Sequence, residues 1–466
     1  MTAVRDLVLA VPEDELREYV LSQRWFGSKS AEVASVGTVD AFPLRDGDGP
    51  LLAVAVVETR FQPGTHELYN VPLGFRRRVE EWREGVLAEV DGWSAYEALS
   101  DPELVRELVA MMRAQQTVEL EAGSLEFRTV EGLAEELGAL ERVRPMVGEQ
   151  SNSSVVLDEQ LVLKLYRKLE AGVNPELEML RFLTERGFPS IASLEGWASH
   201  LGQPLEATLA ILQHYVHGRS DGWTLALESL AGDAERFLPR ARRLGEVTGS
   251  MHSVLASEPA DPAFSPEEPG AETLALLIAR IDEEIEQLFL TLPDEPALEP
   301  LAGRGDELRD RVQAVGQGGP AGGRLIRHHG DYHLGQVLWT ENDDWVVLDF
   351  EGEPARPLAE RRRKRSPLRD VAGMLRSFSY AASASELDLG LPPPADWEIR
   401  VRHEFLDAYF GDVDPAILPP PDARERLLAL FELEKAVYEL RYELGHRPEW
   451  AAIPVAAIVR LLEQPL

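Results

Sequence analysis

The 466-residue sequence contains no cysteine, and this absence excludes several kinds of chemistry. Disulfide bonds, thiolate metal ligands and a thiol nucleophile all require that residue. Basic residues are also scarce: 47 lysines and arginines stand against 81 aspartates and glutamates, so the formal net charge is −34. Nucleic acids and anionic membranes are polyanions, and this charge therefore argues against both as partners.

Long apolar runs are missing as well. No run reaches the roughly 20 apolar residues that a membrane-spanning helix needs. The N-terminus lacks the basic-then-apolar pattern of a secretory signal. We therefore expect a soluble, cytoplasmic protein, and the length predicts about three domains.

The most informative stretch, at 327–354, reads RHHGDYHLGQVLWTENDDWVVLDFEGEP. Two short apolar runs flank the polar turn at 341–344, which predicts a β-hairpin. The hairpin would bring polar side chains from its two ends together. These are Asp331 and Gln336 at the entry, and Asp349 and Glu351 at the exit.

The predicted cluster has the composition of a phosphoryl-transfer site. Asp349 and Glu351 lie two residues apart and can face the same side of an extended strand. Carboxylate and amide oxygens suit Mg²⁺, which prefers one or two carboxylates together with phosphate oxygens. A further acid, Asp331, would then be free to orient a substrate hydroxyl.

An earlier segment also fits this chemistry. Lys164 lies in the middle of the apolar run 161–166, which predicts a strand, and Asn174-Pro175 predicts the start of a helix. A strand lysine paired with a helix glutamate is how kinase-like folds hold the α- and β-phosphates. Two acids of that helix could be the partner: Glu178, which we prefer, and Glu176.

At these residues the sequence resembles a known superfamily. The order H-x-D-x-x-x-x-(N/Q), a strand, and then D-x-(D/E) resembles the catalytic core of aminoglycoside phosphotransferases and protein-kinase-like enzymes. The longer pattern HGDYHLGQV, LDFEGEP and RRRKRSPLRDVAGMLRSFSYAA resembles actinobacterial maltokinases and their relatives. The segment QRWFGSK at 23–29 resembles the opening of the cap domain that precedes the kinase core in maltokinases.

The resemblance implies an α+β, bilobal, protein-kinase-like fold with an extra N-terminal β-rich cap and a mostly helical C-terminal lobe. We expect the cap at 1–90, an intermediate subdomain and nucleotide-binding lobe at 91–216 ending in the hinge, and the helical lobe with the catalytic loop and sugar site at 217–466. It also implies ATP and Mg²⁺ as cofactors and a small-molecule sugar as acceptor. Protein partners are not indicated.

The resemblance further implies a role for each matching residue. Asp331 would be catalytic, and Gln336, Asp349 and Glu351 would hold metal. Nucleotide-binding residues would be Gln150, Ser151, Asn152, Ser153, Ser154, Lys164 and Glu178, with Gln213, His214, Tyr215 and Val216 contacting adenine at the hinge. Substrate-binding residues would be Asp331, Tyr332, His333, Glu432, Lys435, Glu439, Glu443 and Trp450. His329, Arg369 and Asp370 would support the catalytic loop.

The acceptor sugar stays open between two alternatives. Maltokinases phosphorylate maltose, and a related actinobacterial branch converts glucosamine to glucosamine 6-phosphate. This chain departs from maltokinases at Gly27-Ser28, at Tyr332 beside the proposed base, and at Lys364-Arg365 before SPLRD. Tyr332 would narrow the acceptor site, and the acidic face of the helix at 427–442 would suit an amine, because a carboxylate binds an ammonium through a charge-assisted hydrogen bond. We therefore favour glucosamine over maltose, with an aminoglycoside phosphotransferase or a non-catalytic pseudokinase as distant alternatives.

Overall fold

The computed structural model describes residues 2–47, 49–62, 64–130, 140–146, 151–270, 272–317 and 322–463. It divides into two compact units. The first comprises Met1–Thr184 and Ala192–His217, and the second comprises Glu185–Ile191 and Gly218–Leu466. Among the described residues, no helix combines the length and apolarity that crossing a membrane requires.

The first unit consists mainly of two antiparallel sheets. Its helices are α1 (Thr2–Leu9), α2 (Glu13–Ser22), α3 (Pro102–Arg113) and α4 (Pro175–Glu185). Its strands are β1 (Val33–Arg45), β2 (Leu51–Phe61), β3 (His66–Arg77), β4 (Val86–Val90), β5 (Trp93–Glu97), β6 (Thr117–Leu120), β7 (Gly123–Thr129), β8 (Val143–Pro145), β9 (Asn152–Leu157), β10 (Leu161–Tyr166), β11 (Lys168–Leu169), β12 (Leu194–Gly202) and β13 (Ala207–His214).

The first sheet has the order β1-β2-β3-β5-β4, with β11 paired to β3. Its strand β2 is buried on both faces, which explains why its sequence is almost continuously apolar. Ala53, Ala55 and Val57 pack into a core with α1 and α2. The alternate residues Val54 and Val56 pack into a second core with α3 and the second sheet. Because successive side chains of a strand point to opposite faces of the sheet, β2 contributes residues to both cores.

The second sheet has the order β6-β7-β12-β13-β10-β9-β8 and carries the residues predicted to bind nucleotide. β9 and β10 form a hairpin, and β10 also pairs with β13. Asn174 caps α4, because its Oδ1 accepts the Glu176 N–H at 2.8 Å. The predicted helix start at Asn174-Pro175 is therefore confirmed.

The second unit is mostly helical and contains one small sheet, β14-β15-β16. Its strands are β14 (Gly218–Asp221), β15 (Val337–Thr340) and β16 (Trp345–Val347). Its helices are α5 (Gly222–Ala231), α6 (Leu238–Leu255), α7 (Thr273–Thr291), α8 (Gly305–Gln317), α9 (Leu358–Arg361), α10 (Leu368–Leu389), α11 (Trp397–Asp412), α12 (Pro421–His446) and α13 (Ala452–Glu463).

The predicted hairpin is confirmed as β15 and β16, which pair antiparallel through Val337↔Val347 and Trp339↔Trp345. Helices around it pack closely. On α6, a Cβ at Gly245 would lie 2.2 Å from the Phe405 carbonyl oxygen of α11, so only glycine allows this approach. Helices α7, α8, α12 and α13 share a separate apolar core. The hairpin thus lies in a unit whose helices pack closely against one another.

Candidate active site

The loop that precedes β15 is anchored by one buried carboxylate. Asp370, at the start of α10 and 2% exposed, accepts the backbone N–H groups of His329 at 2.7 Å and Gly330 at 2.9 Å. It also lies 3.1 Å from His252 Nε2 on α6. Burial by itself would raise the pKa of Asp370, but the neighbouring His328 and His252 hold that pKa well below its usual range. The ionised carboxylate therefore ties the loop to two helices.

His329 orients the next residues of the loop. Its Nε2 lies 2.9 Å from the Leu348 carbonyl oxygen, and its Nδ1 accepts the Asp331 N–H at 3.3 Å. This pattern requires the neutral imidazole with the proton on Nε2. The ring also packs against Phe350, with ring centroids 5.0 Å apart. His329 thereby connects the loop before the hairpin to the strand end after it.

The Asp331 carboxylate is partly exposed and lies close to two basic side chains. Lys435 Nζ on α12 is 3.5 Å from Asp331 Oδ1, and His333 Nε2 is 3.9 Å from Oδ2. Burial lowers the pKa of His333, so its imidazole is neutral at pH 7. Its Nδ1 accepts the Gly335 N–H at 3.0 Å, and the side chain is thus held in the turn.

Asp331 lines a cavity of about 260 Å³ within the second unit. Pockets for drug-sized ligands span roughly 300–1,000 Å³, so this cavity suits a smaller molecule. Its lining is strongly polar and includes both carboxylates and basic groups. Charged lining residues include Glu284, Asp331, Glu353, Arg356, Glu360, Arg361, Arg365, Arg369, Glu434, Lys435 and Arg441. Such a lining can hydrogen-bond many hydroxyl groups at once.

Lys435 and Tyr438 present donors to this cavity. Burial disfavours the lysine ammonium, but the carboxylates of Asp331, Glu439 and Glu353 together raise the pKa of Lys435, so it is protonated at pH 7. Burial and the neighbouring Glu353 raise the pKa of Tyr438, whose hydroxyl therefore keeps its proton. Tyr438 and Glu353 were not among the predicted substrate-binding residues, and Glu353 follows the metal motif in an irregular loop.

The acidic face of α12, which we predicted to bind an amine, forms ion pairs within the protein. Each of its three acids is paired with an arginine: Glu432 with Arg402, Glu439 with Arg376, and Glu443 with Arg447. None of these three carboxylates lines the cavity among the residues that the structure describes. Arg402 and Arg376 lie far from Glu432 and Glu439 in the sequence, whereas Arg447 follows Glu443 by four residues. Sugar binding by these three carboxylates stays a prediction.

Glu434 on α12 does line the cavity, and the sequence analysis missed it. Its carboxylate accepts hydrogen bonds from Arg280 and Arg369, which are themselves cavity-lining or adjacent to the lining. Glu434 follows Glu432 by two residues, so on a helix it lies on a different face from Glu432. Only the neighbouring helices show which face meets the cavity.

Trp450 and Tyr332 also differ from their predicted roles. Trp450 stacks on Tyr380 with ring centroids 6.4 Å apart, lies against Arg447, and is not part of the described cavity lining. Tyr332 lines the cavity but is only 3% exposed, and its hydroxyl lies 2.9 Å from Thr248 Oγ1 on α6. The ring therefore packs beneath the loop, and a substituent so deeply buried cannot narrow the acceptor site as we expected.

Gln336 and Asp349, the predicted metal ligands, lie side by side at the base of the hairpin. Gln336 Nε2 donates to Asp349 Oδ2 at 3.0 Å, so the amide nitrogen of Gln336 faces the carboxylate in this structure. Asp349 has a left-handed backbone with φ of +60°, and an oxygen of Glu351 lies within 4.8 Å of one of its oxygens. These hard oxygen donors fit Mg²⁺.

In the first unit, the ion pair of Lys164 differs from our preferred pairing. Lys164 Nζ donates to Glu176 Oε2 at 2.7 Å, and the Tyr166 hydroxyl donates to the same oxygen at 2.8 Å. The structure thus shows an ion pair with the alternative partner, which lies two residues before Glu178, and the pairing with Glu178 stays a prediction. Both glutamates are buried on α4, at 2% and 6% exposure. Glu176 is closer to the capped end of the helix, beside the strand that carries Lys164.

The small polar residues after 150 lie beside Lys164. Ser154 is directly opposite Lys164 in the β9–β10 pair, and Ser153 is opposite Leu165. Ser153 Oγ accepts a hydrogen bond from Arg167 Nε at 2.8 Å. Asn152 Nδ2 lies 3.3 Å from Ser151 Oγ. Gln150 lies outside the described residues.

Two backbone N–H groups of the hinge segment, which we predicted to contact adenine, form hydrogen bonds within the first unit. The N–H of His214 donates to the Ser193 carbonyl at 2.9 Å, and the N–H of Tyr215 donates to the Gln160 carbonyl at 2.7 Å. While the sheet is intact, these two N–H groups cannot bind adenine. The prediction is therefore corrected for these two donors, and it stands as a prediction for Gln213 and Val216.

Two family models match the chain. The model described as "Phosphotransferase enzyme family" covers residues 142–390, and the "Maltokinase N-terminal cap domain" covers residues 19–101. The first match contains the Lys164 segment, the loop with Asp331 and the hairpin. The second contains the QRWFGSK segment and most of the first sheet.

Known proteins agree with these matches. The chain is 27% identical to a glucosamine kinase of Streptacidiphilus jiangxiensis over 338 residues, covering 69% of this chain and 74% of the relative. It is 28% identical to a glucosamine kinase of Mycolicibacterium smegmatis over 338 residues, covering 69% and 80%. A solved structure of a glucosamine kinase in complex with glucosamine, ADP and inorganic phosphate is similar with a TM-score of 0.70 at 23% identity, covering 96% of this chain and 98% of that chain. The kinase-like fold with a strand-rich N-terminal cap is thereby confirmed.

Proposed function

This chain belongs to the phosphotransferase enzyme family, and from that premise we propose that it is an ATP-dependent glucosamine kinase that makes glucosamine 6-phosphate. The observation that carries the proposal is the position of Asp331 at the edge of a small cavity with many charged lining residues. Its N–H is bonded to His329, and Asp370 anchors the two residues before it. Two relatives named glucosamine kinase, each aligned over 69% of the chain, support the choice of acceptor.

In the proposed reaction, the acceptor hydroxyl donates a hydrogen bond to Asp331, which aims the oxygen at the γ-phosphate of ATP. Phosphoryl transfer of this kind depends on positioning and charge neutralisation rather than on a covalent enzyme intermediate. Lys435 Nζ, 3.5 Å from Oδ1, lies close enough to attract the Asp331 carboxylate. The solved glucosamine kinase complex contains ADP, which supports ATP as the donor.

Gln336 and Asp349 would hold Mg²⁺, with Glu351 near enough to contribute an oxygen. When bound, the ion would neutralise charge on the phosphate oxygens as the γ-phosphoryl group departs. In the first unit, Lys164 would bind the α- and β-phosphates, and its pairing with Glu176 holds the ammonium in the strand. The serines beside it on β9 would add hydroxyl donors.

Maltose is the second candidate acceptor, and two observations favour it. The N-terminal match is to a cap domain described from maltokinases. The protonated Lys435 beside Asp331 also repels an ammonium group on the acceptor, whereas it can donate hydrogen bonds to the hydroxyls of any sugar. The cavity volume of about 260 Å³ favours a monosaccharide instead.

An ATP-consumption screen with Mg²⁺ tests the proposal, with glucosamine, glucose, N-acetylglucosamine, maltose and several aminoglycosides as acceptors. We expect turnover with glucosamine and little with N-acetylglucosamine, since acetylation removes the charge of the amine. Turnover with maltose and none with glucosamine would select the second candidate. No turnover with any sugar would contradict the proposed function altogether.

A further inference from the structure

His328 is a buried polar side chain of the acceptor cavity that was not among the residues predicted from the sequence to bind substrate. It lies three residues before Asp331 and lines the same cavity. The residue is 8% exposed, and its Nδ1 is enclosed by protein without a hydrogen-bond partner among the described residues. Enclosed polar atoms that lack a partner are rare in folded proteins, because leaving them unpaired lowers stability. The position of His328 therefore requires an explanation.

The other ring nitrogen of His328 faces the cavity. Nε2 is not enclosed as Nδ1 is, and it too has no hydrogen bond in the part of the chain that the structure describes. It lies 3.9 Å from the position that a Cβ on Gly330 would take, and that position is 3.5 Å from the Cα of Gly352. Gly330 and Gly352 both line the cavity. Since neither glycine has a side chain to cover Nε2, a molecule in the cavity can reach this nitrogen.

Several polar neighbours of His328 in the lining already have partners within the protein. Asp370 accepts the N–H groups of His329 and Gly330. The Tyr332 hydroxyl is bonded to Thr248 Oγ1 at 2.9 Å. His328 differs from Asp370 and Tyr332 because both of its ring nitrogens are left without such a bond among the described residues.

The charge state of His328 indicates which kind of group it can bind. Burial lowers the pKa of His328 to about 3, Asp370 opposes that shift, and Arg369 and Arg365 add to it, so the imidazole is neutral at pH 7. A neutral imidazole has one N–H donor and one lone pair. A hydroxyl group both donates and accepts, so it matches Nε2 in either tautomer. An ammonium only donates and a carboxylate only accepts, so each matches a single tautomer.

We propose that His328 is a specificity-determining residue of the acceptor site, and that its Nε2 binds one hydroxyl of the sugar other than the hydroxyl held by Asp331. The inference rests on the proposed function, since it concerns the same cavity. A sugar bound at both residues is fixed at two points. Such fixation orients the acceptor, so that a single hydroxyl meets the γ-phosphate.

Calorimetric titration of the full chain tests this role independently of turnover. The probes are glucosamine and its three derivatives that lack the hydroxyl at C1, C3 or C4. One neutral hydrogen bond corresponds to about a fivefold change in affinity. We therefore expect at least one deoxy sugar to bind wild-type protein about fivefold more weakly than glucosamine does.

The variant His328→Leu identifies which hydroxyl the imidazole binds. We expect it to weaken glucosamine binding by about the same fivefold factor. The deoxy sugar that lacks the contacted hydroxyl should then bind this variant as tightly as glucosamine does, because the same interaction cannot be lost twice. The other two deoxy sugars should keep their wild-type ratios to glucosamine. His328→Gln retains a donor and an acceptor on its side-chain amide, and we expect it to recover most of the affinity.

His200→Leu is the matched control. His200 on β12 is 2% exposed and, like His328, has one enclosed ring nitrogen without a partner among the described residues. It is not part of the described lining of the acceptor cavity. This variant therefore reproduces the loss of a buried histidine without the loss of the proposed contact, and we expect it to leave all four affinities unchanged.

Three outcomes overturn the inference. The first needs no variant: wild-type protein binds all three deoxy sugars as tightly as glucosamine, or does not bind glucosamine. The second is unchanged glucosamine affinity in His328→Leu. The third is that every deoxy sugar keeps its wild-type ratio to glucosamine in that variant, which indicates a purely structural role. The ATP-consumption screen separates these failures from that of the proposed function, because phosphorylation of glucosamine by wild-type protein leaves the kinase assignment intact and removes only the role of His328.

Discussion

Two acidic regions of the second unit, the hairpin with its flanking loop and the helix α12, were both predicted from the sequence to contribute to the site. Their surroundings differ completely. At the hairpin, Asp331 faces a cavity and Asp349 is bonded to Gln336 within the same motif. On α12, Glu432 and Glu439 are held by Arg402 and Arg376, which come from other helices. A carboxylate can bind a substrate or a metal ion most readily where the protein itself does not already pair it with a basic side chain. A sequence pattern does not show which basic residues from other helices will lie beside it.

Among the variants that test this contrast, we expect Asp331→Asn to have the largest effect, which is on kcat. Because the amide cannot accept the hydroxyl proton as a carboxylate does, we expect kcat to fall by about 10³-fold. Nucleotide affinity should be unchanged, since Asp331 is placed to contact the acceptor. Initial-rate kinetics and ATP titration measure the two quantities separately. Unchanged phosphorylation in this variant would show that our assignment of Asp331 is wrong.

For the ion pairs of α12, we expect Arg376→Met to lower the free energy of unfolding. Arg376 is 1% exposed and donates to Glu439 through Nε and Nη2 at 3.0 and 2.8 Å, so the variant leaves Glu439 without its partner. Breaking a buried pair from one side costs about 3 kcal/mol or more. Urea unfolding measures the change. Arg242→Met removes an exposed arginine paired with Glu404 and Asp407, serves as the control, and should leave the unfolding midpoint unchanged.

Because the ionised Asp370 carboxylate anchors the catalytic loop, we expect the difference in unfolding free energy between wild type and Asp370→Asn to depend on pH. The pKa of Asp370 is lower in the folded protein than in the unfolded chain, where it is about 3.9. Its contribution is therefore fully present above the unfolded pKa and is lost as the pH falls through the folded pKa. We expect the variant to be less stable by about 2 kcal/mol at pH 7, and the difference to shrink below about pH 4.

Urea unfolding of both proteins from pH 7 to pH 3 checks this expectation. A gap between the two proteins that stays constant over this range would mean that the ionised form of Asp370 is not what stabilises the loop. Thr224→Ala, a change at the exposed start of α5, controls for general acid effects.

The smallest effect is expected from Glu443→Gln, and it opposes our own sequence-based prediction. Glu443 is 2% exposed and bonded to Arg447, and it does not belong to the described lining of the acceptor cavity. We expect the KM for glucosamine to stay within about twofold of wild type. On the same helix, Lys435→Ala should lower kcat/KM by about tenfold or more, because it removes a charged hydrogen-bond donor from the cavity. A tenfold rise in the KM for glucosamine in Glu443→Gln would instead support the acidic face of α12 as a binding surface.

The sequence by itself determined those features that depend only on residues close together in the chain. The hairpin, the start of α4 at Asn174-Pro175, and the order of Asp331, Gln336, Asp349 and Glu351 all depend on residues a few positions apart. Turn residues, caps and the strand period act over such short distances, so they can be recognised without knowing the fold. The motifs also sufficed to identify the superfamily and its kinase-like fold.

Only the tertiary structure decided which side chains meet. It paired Lys164 with Glu176, placed the Tyr332 hydroxyl against Thr248, and paired Glu432 and Glu439 of α12 with arginines of other helices. It also selected Glu434, Glu353 and His328 as cavity residues. These outcomes depend on contacts between residues far apart in the chain. Periodicity gives the face of a helix, whereas charge balance depends on what packs against that face.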